Sequence, residues 1–201
     1  DGVDVTFIDS AMGPIDGTLL TGTLPIITIN SNVAGILNDC LPLPVNVSID
    51  DVAVLPTSDG VLIQDMNVVQ TVAAPADPTV NGIEVSLNGV TGTGIVTVAN
   101  NVIADMYGNG IYTAITNNSS LAGAIYVNNT ISGNLFGDGV RYEQTGGSVD
   151  IIAMLDTTAV ENAGYGINVD LNGVAGNTLA APSVVIDGSD IRDNTGRGLQ
   201  G

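Results

Sequence analysis

The sequence predicts an all-β solenoid, a single body of stacked coils. Three observations carry that reading: a repeat near 28 residues, apolar residues alternating with period two inside it, and corner-forming residues between the alternating runs. The repeat is anchored by four Gly-x-Gly-aliphatic steps, Gly108-Asn109-Gly110-Ile111, Gly137-Asp138-Gly139-Val140, Gly164-Tyr165-Gly166-Ile167 and Gly196-Arg197-Gly198-Leu199, spaced 29, 27 and 32 residues apart. Fourteen residues before the second glycine stand Val96, Ile125, Ile152 and Val184, and twelve before it Val98, Val127, Met154 and Ile186. A longer copy supports the frame: the run from Gly82 to Val90 returns 84 residues later, from Gly166 to Val174.

Taken in order, residues 1–25 read as a cap or an irregular first coil. Residues 26–81 read as degenerate coils, with Gly-aliphatic steps at Gly35-Ile36 and Gly60-Val61 and strand-like runs at 26–29, 45–49 and 61–63. The proline-bearing stretches Leu41-Pro42-Leu43-Pro44 and Ala74-Pro75-Ala76-Asp77-Pro78 cannot sit in central strands and are expected as excursions. Residues 82–201 read as regular coils. The whole is about 7 coils of 22–32 residues in one domain, 1–201. Because Gly201 falls partway through an expected strand, the chain reads as a segment of something longer or as the subunit of a polymer.

Corner residues recur in this frame. Ten before the second glycine sit Asn100, Asn129, Asp156 and Gly188, and five before it Asp105, Asn134, Glu161 and Asp193. Stacked in successive coils, such side chains can hydrogen-bond along the stack as ladders. The paired glycines, with Gly110, Gly139, Gly166 and Gly198 as second members, are expected at the sharpest bend, where positive φ costs a glycine little. The stretches 117–120 and 145–148 fall where loop length varies between units.

Composition narrows the function. The formal charge is -18, with no Lys, Arg only at 141, 192 and 197, and 18 Asp against 3 Glu. Nucleic-acid binding needs basic phosphate contacts and is excluded, and the same field repels anionic polysaccharides and acidic membrane surfaces. The Asp excess over Glu fits corners, since the shorter side chain caps turns and tolerates left-handed backbone. Cys40 is the single cysteine, so no intrachain disulfide forms, and it is expected to be a small buried hydrophobe. No apolar run is long enough for membrane insertion as a helix. Tyr126, between two apolar strand residues, is expected to face outward; tyrosines gathered in one groove would favour sugar binding, and scattered ones would not.

The repeat length, the short strands, the Asn and Asp at turns and the Gly-x-Gly-Ile step together resemble the right-handed parallel β-helix of the pectin-lyase-like superfamily. The resemblance covers roughly residues 26–201 and is strongest from 82. It implies fold more than activity. Polygalacturonase-like members carry Asn-Thr-Asp, a paired Asp, Gly-His-Gly and Arg-Ile-Lys; Asp50-Asp51 is a pair, but the chain has no His and no Lys. Lyase-like members use an Arg or Lys base beside calcium-binding carboxylates, for which Arg141 near Asp138 is the candidate, against a structural salt bridge.

No catalytic or cofactor-binding residue is therefore assigned, and the chain is expected not to be an enzyme. Calcium is the one cofactor worth considering, with Asp50, Asp51 and Asp138 as metal candidates. Glycosylation sequons occur at Asn46, Asn117, Asn118 and Asn128, as an Asn-rich chain yields by chance. The leading expectation is a structural, extracellular or cell-surface protein: a stalk, adhesin passenger or self-assembling fibre whose partner is itself. The alternative is a carbohydrate-binding or polysaccharide-lyase-like module recognising a host or matrix glycan.

Overall fold

The computed structural model describes residues 3–8, 27–30, 36–38, 45–50, 61–70, 81–90, 94–172 and 182–200. Its early strands are β1 (Val3–Ile8), β2 (Ile27–Asn30), β3 (Ile36–Asn38), β4 (Val45–Asp50), β5 (Val61–Gln64) and β6 (Asn67–Gln70). Then come β7 (Ile83–Asn88), β8 (Ile95–Ala99), β9 (Val102–Ala104), β10 (Ile111–Thr116), β11 (Ser120–Val127) and β12 (Thr130–Ser132). The chain continues through β13 (Val140–Thr145), β14 (Ser148–Leu155), β15 (Thr158–Val160), β16 (Ile167–Asn172), β17 (Ser183–Asp187), β18 (Asp190–Arg192) and β19 (Leu199–Gln200).

Every third strand stacks on the same sheet, and every pairing is parallel. The first sheet has seven strands, β1-β4-β7-β10-β13-β16-β19; the second and third have six each. This is a parallel β-solenoid, all-β as expected. About four coils, β7 to β18, are described apart from residues 91–93 and 173–181, rather than the expected seven, because most connections between the earlier strands lie outside the described residues. The two proline-bearing stretches and Cys40 also lie outside them.

Alternation explains the core. Along β7 the inward Ile83, Val85 and Leu87 are buried, while Glu84, Ser86 and Asn88 are half-exposed. Parallel registers stack like on like, so Ile83, Ile111, Val140 and Ile167 form one column. In the second sheet Val61, Val96, Ala124, Ile152 and Val184 form another, and Ile63, Val98, Tyr126, Met154 and Ile186 a third. In the third sheet Ile103, Ile131, Ala159 and Ile191 align.

These registers correct the sequence frame by one residue in the coil β10–β12. Met106 to Asn109 and Asn162 to Tyr165 are three steps, whereas Asn134 to Asp138 is four. Counting back from Gly139 therefore slips past that extra residue. Ala124 and Tyr126 face inward in place of Ile125 and Val127, and Tyr126 is fully buried rather than outward. The same slip misplaces Asn129 and Asn134, which sit one position beyond the corner residues they were aligned with.

The corners have a two-residue grammar. An outward residue at positive φ, exposed or half-exposed, comes first: Asp65, Asn100, Asn128, Asp156 and Gly188 after the second-sheet strands, and Asp105, Gly133, Glu161 and Asp193 after the third. An inward residue follows: Asn101, Asn129, Thr157 and Ser189 at one corner, and Met106, Asn134, Asn162 and Asn194 at the other. Short amide and carboxylate side chains tolerate the left-handed region because they hydrogen-bond locally, and glycine because it has no Cβ.

Gly110, Gly139 and Gly166 do not occupy that region, contrary to expectation. They are glycine because a Cβ there would strike the interior: at Gly110 it would lie 2.2 Å from Ile131 Cγ2 and 2.8 Å from the Gly139 carbonyl. The constraint is close approach between corner and core, with backbone on one side that cannot move aside.

Two substitutions test this grammar. Asn129→Ala removes the acceptor and donor of a buried rung and is expected to cost at least about 1–3 kcal/mol, read as a lowered urea midpoint with an unchanged m-value. Glu161→Asn places an αL-tolerant side chain at φ 58° and is expected to raise stability by roughly 0.5–1 kcal/mol. A lowered midpoint for Glu161→Asn would contradict the role assigned to that corner.

Candidate functional site

The inward corner side chains form three hydrogen-bonded ladders along the stack. In the first, Met66 N donates to Asn101 Oδ1 at 3.0 Å and Asn101 N to Asn129 Oδ1 at 3.1 Å, while Asn129 Nδ2 donates to the Val98 carbonyl at 2.8 Å. In the second, Met106 N donates to Asn134 Oδ1, Asn134 N to Asn162 Oδ1 and Asn162 N to Asn194 Oδ1, at 3.2, 3.3 and 3.0 Å. The third runs the other way: Asn109 N donates to Asn81 Oδ1, Asp138 N to Asn109 Oδ1 and Tyr165 N to Asp138 Oδ1, at 2.8, 2.8 and 2.7 Å.

This geometry places each residue singled out from the sequence. Asn129 and Asn134 are buried rungs; Asn100, Asp105, Asp156, Glu161 and Asp193 are exposed corner residues. Gly110, Gly139, Gly166 and Gly198 immediately precede the first-sheet strands β10, β13, β16 and β19. Asp138 is buried, one carboxylate oxygen on Tyr165 N and the other accepting from Asn168 Nδ2 at 2.9 Å. Asp50 ends β4, in register with Asn88, and Asp51 lies outside the described residues. Among the described residues no three His, Cys, Asp or Glu side chains gather as a metal cluster.

The outer face of the first sheet carries the densest polar group. Tyr112 donates to Glu143 Oε2 at 3.0 Å, and Arg141 Nη2 lies 3.5 Å from the same oxygen. Arg141 thus pairs with Glu143 on its own strand, while the Asp138 carboxylate is taken up by the ladder. Half-burial, reinforced by the Glu143 hydrogen bond and charge, pushes the Tyr112 phenol up to about 12. At the surface Arg192 lies between Asp190 and Asp193, whose carboxylates raise its pKa further.

The tyrosines scatter. Tyr126 and Tyr142 are in the core, Tyr112 is on the first sheet's outer face, and Tyr165 lines a groove at the β17–β19 end. Tyr107 stacks on Phe136 at 6.2 Å between ring centroids. Leu135 and Phe136 flank the extra residue of that coil and are 51% and 55% exposed, a side effect of the longer corner that spacing alone concealed.

The end of the stack at β17–β19 departs from a closed surface. A groove of about 620 Å³ lies there among Tyr165, Val169, Leu171, Val184, Ile186 and Leu199. Val184 continues the buried column of Val96 and Ile152 yet is 45% exposed, and Leu199 is 52% exposed. β19 pairs with Ile167 and Asn168 of β16, and Val169, Asp170 and Leu171 line the groove beyond them.

No protein-family model, no curated protein and no solved structure matches the chain.

Alkaline titration probes the core directly. Burial raises Tyr126 and Tyr142 well beyond the ordinary phenol range and Tyr112 to about 12, against 10.0 for a free phenol. A raised folded-state pKa favours the protonated form, so its contribution is intact below pH 10.0 and is lost as pH rises toward and past 12. Folding stability should therefore fall steadily above pH 10.0, with phenolate absorbance from Tyr126 and Tyr142 appearing only on unfolding. All tyrosines ionising together near pH 10.0 in the folded protein would contradict their burial.

Proposed function

We propose that this chain is a structural β-solenoid, acting outside the cell or at its surface as a stalk or fibre element, whose partner is a second copy of itself. The observation that carries the reading is the coil-on-coil contact itself, in which β17–β19 at one end of the described stack pair in parallel over the apolar columns of the coil before. At the opposite end Val3, Val5 and Phe7 of β1 hold the same register positions, through Val45, Val47 and Ile49, as the buried Ile83, Val85 and Leu87. Stacking one copy on another would thus repeat the contact the coils already make, parallel backbone pairing over matched apolar columns.

The finer assignment, a right-handed parallel β-helix of the pectin-lyase-like kind, is supported by the parallel three-sheet crossovers, which favour the right hand. Non-enzymatic function is supported by the lack of His and Lys and by the engagement of Arg141 and Asp138 in local bonds. The glycan-binding alternative is weakened by the scatter of the tyrosines.

Electron microscopy and sedimentation of the purified chain, with and without millimolar calcium, test the reading. The expected outcome is end-on oligomers or fibres that Val184→Asp and Leu199→Asp abolish while the β-sheet circular dichroism is kept. Calcium-dependent growth would bring ions among the carboxylates into the contact; monomers under both conditions would sink self-assembly.

A further inference from the structure

Among the described coils the inward columns are apolar except in one place. The column Val85, Thr113, Tyr142, Val169 is polar at its two middle positions, and its neighbour Leu87, Ile115, Gln144, Leu171 carries Gln144. Across the interior, Tyr126 interrupts the second-sheet column of Val98, Met154 and Ile186. All four side chains are fully buried.

Only one bond is made within this cluster: the Tyr142 hydroxyl donates to Gln144 Oε1 at 3.0 Å. Thr113 Oγ1, the Tyr126 hydroxyl and Gln144 Nε2 have no hydrogen-bond partner in the protein. The Thr113 and Tyr126 hydroxyls make a loose hydrogen-bond-like contact that favours the Tyr126 phenolate, but its geometry falls short of a hydrogen bond and leaves both hydroxyls unsatisfied. Tyr126 likewise acts electrostatically on Tyr142, so the four groups form one neighbourhood.

Buried polar atoms are rarely left unpaired, because each forfeits its hydration for nothing. Here the orphans are complementary: an amide N–H that can only donate, and two hydroxyls that can donate and accept. Arg141 Nε is also unpaired and buried, but its side chain faces the outer sheet beside Glu143 and belongs to a different environment.

We propose that Thr113, Tyr126 and Gln144 form an interior binding site for ordered water, a molecule or pair that accepts from Gln144 Nε2 and bridges the two hydroxyls. A buried water takes two to four such bonds and is a structural part of the fold. The polar layer also fixes register: sliding this coil against its neighbours would set these groups against aliphatic side chains.

Water-selective nuclear Overhauser spectroscopy on the intact chain is the direct test, expected to give persistent cross-peaks from water to the Gln144 side-chain amide and the Thr113 methyl group. The shape-conserving variants Thr113→Val and Tyr126→Phe supply a sign. If water bridges the hydroxyls, each variant lowers the urea midpoint, and the double variant loses less than the sum, because both losses fall on one bound molecule. If the groups are orphans, each variant raises the midpoint. A raised midpoint, or a dispersed spectrum without the cross-peaks, overturns the proposal.

Discussion

The structure depends on what happens to backbone N–H groups at the corners. Strand N–H groups are satisfied by the coil above or below, but a corner turns some of them toward the interior, where no water is expected to reach them all. Each inward corner asparagine meets that demand from one coil away, as Asn129 Oδ1 does for Asn101 N. Asparagine suits the task because its carbonyl accepts while its amide donates to a carbonyl, as Asn129 Nδ2 does to Val98. A carboxylate cannot donate, and Asp138 enters a ladder only where Tyr165 N and Asn168 Nδ2 both donate to it. The repeat length follows, since a rung works only if successive coils bring hydrogen-bonding side chains to the same corner.

That constraint also determines how much could be read from the sequence. Period-two alternation and the return of the 82–90 run at 166–174 exposed the parallel stack, because burial and repetition leave local marks. The phase of one coil was not legible. A single extra residue between Asn134 and Asp138 changes nothing in the alternation, and only the pairing of β11 with β8 and β14 reveals that Tyr126 is inside. Ile125, Tyr126 and Val127 are all strand formers, so side-chain type could not decide which of them points inward. The glycines were legible as corner markers but not in their reason, since a Cβ clash with Ile131 involves a residue 21 positions away. The polar core cluster and the end groove had no signal in the chain, because both arise from registers between strands.

Charge and apolar surface are distributed differently over the molecule. Among the described residues most acidic side chains lie on corners and outer strand faces, as with Asp105, Asp156, Glu161 and Asp193, where hydration is retained and repulsion is spread along the stack. Among the described residues the large apolar side chains left exposed are Val184, Val185 and Leu199 at β17–β19, Leu135 and Phe136 at one corner, and Val102. Side-by-side association would bring like-charged flanks together, whereas end-on association would cover Val184 and Leu199 and complete the edge of β16. Salt should therefore matter more to lateral than to axial contact, because screening acts on the flanks while apolar columns and backbone pairing are indifferent to it. If copies stack end-on as proposed, the acidic flanks would act as a specificity device, disfavouring lateral contact while leaving axial contact unopposed.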